Sequence, residues 1–155
     1  MTLPRRTFLF ALPAAAAAAS LGLPTAALAR TPEIYTEGGI AVDGSDVVAY
    51  FTEGKPVTGK PSITHDWKGA TWQFASVENR DAFAANPAAY APQFGGYCAY
   101  AVSKGATAPT VPEAWRIVDG KLYLNFSKSV QKVWLQDVPG NIAKAEANWP
   151  SVLDA

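Results

Sequence analysis

The stretch that decides the fold spans residues 63–74 and reads ITHDWKGATWQF. Apolar and polar residues alternate on both sides of Lys68-Gly69, which is the pattern of two strands joined by a tight two-residue turn. In that register three pairs face each other across the hairpin: Trp67 with Ala70, His65 with Trp72, and Ile63 with Phe74. One face of the hairpin is therefore predicted to be apolar except for His65, the single histidine of the chain.

The flanking sequence predicts short helices around this hairpin. Ser76 has the residue type of a helix N-cap, and Asn86-Pro87 ends that helix and opens a further turn through Tyr90. Another helix is predicted over residues 97–104. Similar signals predict a strand at 40–42, a helix capped by Asp46, a hairpin turn at Asp119-Gly120, and helices after Ser127 and Pro139. These elements indicate an α+β fold, with a small antiparallel sheet of hairpin strands packed against several short helices.

The first 29 residues have the pattern of a cleavable export signal. Arg5 and Arg6 precede Phe8 and Leu9, an alanine-rich run follows, and residues 27–29 supply a small-x-small cleavage pattern. This resembles the twin-arginine signal. Proline, serine and glycine interrupt the run, which favours a removable signal over a permanent membrane anchor. We expect a signal peptide at 1–29, a single domain at 30–155, and a periplasmic or otherwise exported location.

The composition of residues 30–155 excludes several classes of protein. Eleven basic and thirteen acidic residues remain in this part, so its net charge is about −2, with no basic block of the kind that binds nucleic acid. No segment within it is long and apolar enough to span a membrane. Cys98 is the only cysteine, so no intrachain disulfide can form in the exported compartment.

The hairpin and the helix after it resemble the YHS domain. The residues that carry the resemblance lie between 63 and 90: the run His65-Asp66-Trp67-Lys68-Gly69, then Trp72, Phe74, Ser76, Arg80-Asp81, Phe83, Asn86-Pro87 and Tyr90. Beyond them, Gly95-Gly96-Tyr97-Cys98-Ala99 resembles the exported subfamily of YHS-domain proteins. The resemblance implies metal binding through thiols in metal-handling members. Here Ala75 and Asn79 stand at the thiol positions, and residues 42–46 contain no cysteine, so those ligands are not transferred.

His65 and Cys98 are the candidate metal ligands. His65 is either a hydrogen-bonded core histidine or a ligand in an aromatic pocket. Cys98 is either a small core residue or a thiol made accessible by Gly95-Gly96 at the first turn of a helix, where the helix dipole favours thiolate. A closed zinc site has four ligands, so zinc would need carboxylate ligands in addition to His65 and Cys98, or a homodimer in which two chains share the ion. Copper(I) accepts fewer ligands and prefers sulfur, which makes it our first expectation.

Three aromatic residues are candidates for binding an organic ligand near this pair: Trp72, Tyr97 and Tyr100. We expect a non-enzymatic YHS-type domain that binds a metal ion or a small molecule where His65 and Cys98 come within reach of each other. A structural or protein-interaction domain with both residues in the core is the alternative. A thiol-dependent enzyme with His65 as the base of Cys98 ranks third, since no orienting third group is evident.

Overall fold

The computed structural model of the chain describes residues 29–155 together with Gly22. The predicted signal peptide lies outside these residues, apart from Gly22 and Ala29, and stays a prediction. None of the described helices is long and apolar enough to cross a membrane. Short strands and short helices occur together along residues 29–155, which confirms the α+β prediction.

The strands form one small sheet and one separate hairpin in this part of the chain. They are β1 (Thr36–Glu37), β2 (Ile40–Ala41), β3 (Lys60–Trp67), β4 (Ala70–Phe74), β5 (Trp115–Val118) and β6 (Lys121–Leu124). The sheet has the order β1-β2-β4-β3, while β5 pairs with β6. Its β2 runs parallel to β4, at Ile40 and Thr71, so the prediction of a purely antiparallel sheet is wrong there. Residues 42–59 carry the chain from β2 to β3 on the far side of the sheet, and the hairpin turn returns it as β4, parallel to β2.

The helices follow the predicted order. They are α1 (Ala49–Thr52), α2 (Val77–Ala85), α3 (Pro87–Tyr90), α4 (Ala99–Ser103), α5 (Lys128–Trp134) and α6 (Val138–Asn148). The hydroxyls of Ser76 and Ser127 cap α2 and α5 as predicted, each accepting a backbone N–H at 3.1 Å. Helix α4 starts two residues later than predicted. Phe94 and Gly95 have left-handed backbone angles, with φ of 58° and 63°, and Tyr97 is extended.

Strands β3 and β4 form the central hairpin, which has the predicted turn and most of the predicted register. Lys68 and Gly69 both have positive φ, 51° and 75°, as a two-residue hairpin turn of type I′ requires. Trp67 pairs with Ala70 and His65 with Trp72. The predicted pairing of Ile63 with Phe74 is wrong, because the register shifts between Lys60 and Thr64 and Lys60 takes the position opposite Phe74. Pro61 lies inside the irregular part, and a proline cannot donate to the ladder.

One part of the hydrophobic core lies between this hairpin and α2. Ala70, Trp72 and Phe74 point inward from β4 and are buried. Phe83 from α2 is fully buried, with its ring centroid 5.0 Å from that of Trp72 and 5.1 Å from that of Phe74. Burial of such large aromatic groups is the main stabilising term for a small domain without disulfides.

Candidate functional site

His65 lies at the edge of the aromatic core. Its side chain is half-buried, and its ring centroid lies 6.0 Å from that of Phe83 in an edge-on arrangement. The neighbouring carboxylate of Asp66 accepts a hydrogen bond from Thr71 at 2.9 Å. Within residues 29–155 the imidazole has no hydrogen-bond partner, and neither ring nitrogen is sealed from solvent. The imidazole is therefore available to an external ligand.

Cys98 is placed differently, because its thiol is sealed inside the protein. The residue is 1% exposed and occupies the N-cap position of α4. Its Sγ donates a hydrogen bond to Oδ1 of Asn125 at 3.6 Å, and its backbone N–H donates to the carbonyl of Ala108 at 3.0 Å. In this conformation the thiol reaches no external ligand.

Asn125 is the partner that sequence reasoning missed. It is fully buried after β6, and its Oδ1 also accepts the backbone N–H of Tyr100 at 3.1 Å, so it caps α4 from a distant part of the chain. This bond fixes the orientation of the amide, since the opposite orientation would set two donors against each other. Its Nδ2 has no partner among the described residues. The one sequence signal for a buried polar contact at Asn125 was its position directly after the apolar run 122–124.

The structure records no interaction that joins His65 to Cys98. His65 contacts the layer formed by the central hairpin and α2, whereas Cys98 contacts Asn125 and the segment before β5. In the described part of the chain, no three His, Cys, Asp or Glu side chains cluster closely enough to hold a metal ion. A site shared by the two residues stays a prediction.

The three candidate aromatic residues differ in burial and in their contacts. Trp72 is 1% exposed and donates from its indole Nε1 to the carbonyl of Trp67 at 3.1 Å. Tyr97 is buried, its hydroxyl donates to the carbonyl of Pro32 at 2.8 Å, and burial raises the pKa of this phenol. Tyr100 is half-buried, with Lys104 Nζ 5.2 Å from its ring centroid. Trp72 and Tyr97 thus close the core, and only Tyr100 presents its ring to the surface.

The Gly95-Gly96 pair serves packing between chain segments. A Cβ atom built on Gly95 would lie 1.7 Å from the carbonyl oxygen of Glu33, and one on Gly96 would lie 2.4 Å from Cγ1 of Val42. The Gly95 carbonyl also accepts the backbone N–H of Tyr35 at 2.9 Å. The expectation that these glycines make the thiol accessible is not supported, because what approaches them closely is the segment 33–42 of the same chain.

Asp46 is a buried polar residue that accepts hydrogen bonds on both carboxylate oxygens. Its carboxylate is fully buried, and Oδ1 accepts the backbone N–H groups of Val48 and Ala49 at 3.0 and 3.2 Å. Oδ2 accepts the backbone N–H of Ala75 at 2.9 Å and Nδ2 of Asn79 at 2.8 Å. Both oxygens are engaged, so Asp46 is a structural anchor of α1, β4 and α2 and offers no free lone-pair direction to a metal.

Residues 75 and 79 are the positions at which the resemblance to metal-handling YHS modules places thiols. In this chain they meet Asp46 through hydrogen bonds, so a polar anchor occupies that place in the fold. The resemblance itself rests on the residue pattern over 63–90. Comparison of the chain with protein-family models, curated proteins and solved structures found no match.

Proposed function

We propose that this chain is an exported YHS-type binding domain that acts without catalysis and takes up a metal ion, copper first, or a small ligand at His65 and Cys98. The observation that carries the proposal is the imidazole of His65, which is partly exposed on an aromatic edge and has no hydrogen-bond partner among the described residues. A histidine kept only for packing is expected to satisfy its ring nitrogens within the protein.

Copper(I) is the preferred ion because it binds well to few, soft ligands. One thiol and one imidazole suit it, whereas zinc would require additional ligands. Binding through both residues requires the Sγ of Cys98 to leave Asn125, and a thiol is a weak hydrogen-bond donor, so little is lost in that step. It also requires the first turn of α4, which has only five residues, to open.

A structural or protein-interaction domain is the second candidate. The burial of Cys98 and its bond to Asn125 favour this alternative, in which the thiol fills space and supports the cap of α4. A thiol-dependent enzyme is less well supported. The polar group beside the thiol is an amide oxygen, which cannot act as a general base at neutral pH.

Copper(I) titration of the wild type, Cys98→Ser and His65→Gln, with thermal melts of all three, separates these functions. The binding proposal expects both substitutions to abolish tight copper binding while the melting temperatures change little. The structural alternative expects no tight binding by any of the three and a lower melting temperature for Cys98→Ser. Loss of binding in His65→Gln with full binding in Cys98→Ser would refute the shared site.

Export is tested separately. Replacing Arg5 and Arg6 by lysine should block export through the twin-arginine route, while the wild type should yield a mature protein that starts near Arg30. Intact-mass measurement of exported wild-type protein checks the cleavage. A mass that still includes residues 1–29 would contradict it.

A further inference from the structure

A surface pocket with a volume of about 380 Å³ lies between β5 and α5. Its lining residues are Trp115, Arg116, Lys128, Gln131, Lys132 and Leu135. Trp115 and Leu135 give it an apolar wall, and the three basic side chains give it positive charge. Its size is at the lower end of the range for small-molecule sites, which run from roughly 300 to 1,000 Å³.

The charge of this pocket is opposite to that of the domain around it. Residues 30–155 carry eleven basic and thirteen acidic side chains, yet three of the basic ones surround this pocket and no acidic residue lines it. The ion pairs within the described residues join Arg30 to Asp154, Lys68 to Glu33 and Arg80 to Asp81. The three cations of the pocket are therefore free of ion pairs there, and their positive potential favours an anion.

The walls of the pocket are held in place by hydrogen bonds and ring packing. Gln131 is buried, and its Nε2 donates to the carbonyl of Trp115 at 2.6 Å, which ties α5 to β5. The ring centroid of Trp115 lies 5.2 Å from that of Tyr50, whose hydroxyl donates to the carbonyl of Pro112 at 2.8 Å. Lys128 Nζ donates to the carbonyl of Glu113 at 3.3 Å. The wall of the pocket is fixed in this way, so ligand binding orders few groups beyond the exposed side chains of Arg116 and Lys132.

We propose that this pocket binds a small organic anion with a planar apolar body, whose ring packs on Trp115 and whose anionic head is held by Arg116, Lys128 and Lys132. Guanidinium and ammonium groups are the side chains that bind phosphate, sulfonate or carboxylate heads most strongly. The site includes neither His65 nor Cys98, so it is independent of the copper proposal and can fail without affecting it.

Naphthyl phosphate is the test ligand, with naphthol as its uncharged analogue and inorganic phosphate as its head alone. Calorimetric titration of the exported protein should give tighter binding of naphthyl phosphate than of either part. Two-dimensional NMR should shift one indole N–H resonance most, and that resonance should be missing in Trp115→Phe. The double variant Arg116→Gln/Lys132→Gln should bind about tenfold more weakly, since each exposed charge pair contributes modestly. Higher salt should also weaken binding.

The matched control is Lys55→Gln/Lys144→Gln, which removes two exposed lysines outside the pocket and should leave the affinity unchanged. Equal binding of naphthol would overturn the role of the cations, and equal binding of inorganic phosphate would overturn the role of Trp115. Equal weakening in the control would show a general charge effect and refute the site. Binding of an acidic peptide without binding of naphthyl phosphate would also refute it.

Discussion

Replacing Asp46 by asparagine should be one of the most destabilising single changes of a polar residue in this domain. The buried carboxylate accepts four hydrogen bonds, two on each oxygen. An amide in its place replaces one carboxylate oxygen by an NH2 group. The two hydrogen bonds to that oxygen are lost, and the new N–H groups face donors of the protein. Because a hydrogen bond to a charged group contributes about 1.5–3 kcal/mol, we expect a loss of roughly 3–5 kcal/mol in the free energy of unfolding.

Thermal and denaturant unfolding measure this loss. A domain of this size changes its melting temperature by roughly 3–5 °C per kcal/mol, so Asp46→Asn should melt about 10–25 °C lower than the wild type. Asp66→Asn is the control, because that exposed carboxylate accepts one side-chain hydrogen bond, from Thr71, and should lose less than about 1 kcal/mol. Equal melting temperatures for the two variants would refute the anchoring role of Asp46.

A double variant tests the contact between Asp46 and Asn79 directly. Asn79→Asp alone places two carboxylates together, and Asp46→Asn/Asn79→Asp restores one donor facing one acceptor. The double variant should therefore be more stable than the sum of the single effects by at least about 1 kcal/mol, which is the coupling expected for residues in one network. Additive effects would show that the contact at 2.8 Å contributes nothing.

Two further predictions concern backbone and charge. Gly95→Ala should lower the free energy of unfolding by roughly 3 kcal/mol, because the added Cβ would overlap the carbonyl of Glu33. The control is Gly105→Ala, which has a similar positive φ but lies in open space and should cost about 1 kcal/mol. Equal melting temperatures for the two variants would contradict this reasoning. Partial desolvation, together with repulsion from Glu37, raises the pKa of Asp43 above its usual value of 3.8, so its ionised form opposes folding. Below pH 3.8, Asp43→Asn should have the same free energy of unfolding as the wild type. As the pH rises through the raised pKa, the variant should become more stable than the wild type by at most about 0.5 kcal/mol and stay so at neutral pH. An advantage that shrinks as the pH rises would contradict the prediction.

Much of the fold was predictable because its signals are local. The turn at Lys68-Gly69 and the caps Ser76 and Ser127 each depend on residues a few positions apart, and all three are confirmed. The errors arose where distant segments meet. The parallel pairing of β2 with β4 and the late start of α4 depend on packing between segments far apart in sequence, which periodicity does not encode.

The same distinction explains why sequence analysis treated His65 and Cys98 alike although their environments differ. The partial exposure of His65 follows from its place on β3, the edge strand of the sheet, close to the tight turn at the end of the hairpin. The burial of Cys98 depends on Asn125, which lies 27 positions later in sequence and reaches back to cap α4. The Nδ2 amide group of Asn125 is buried without a partner in the described residues, and an unsatisfied group of this kind costs about 1–3 kcal/mol. An opening beside the thiol would let water reach this amide and recover part of that cost, which favours the movement that copper binding by Cys98 requires.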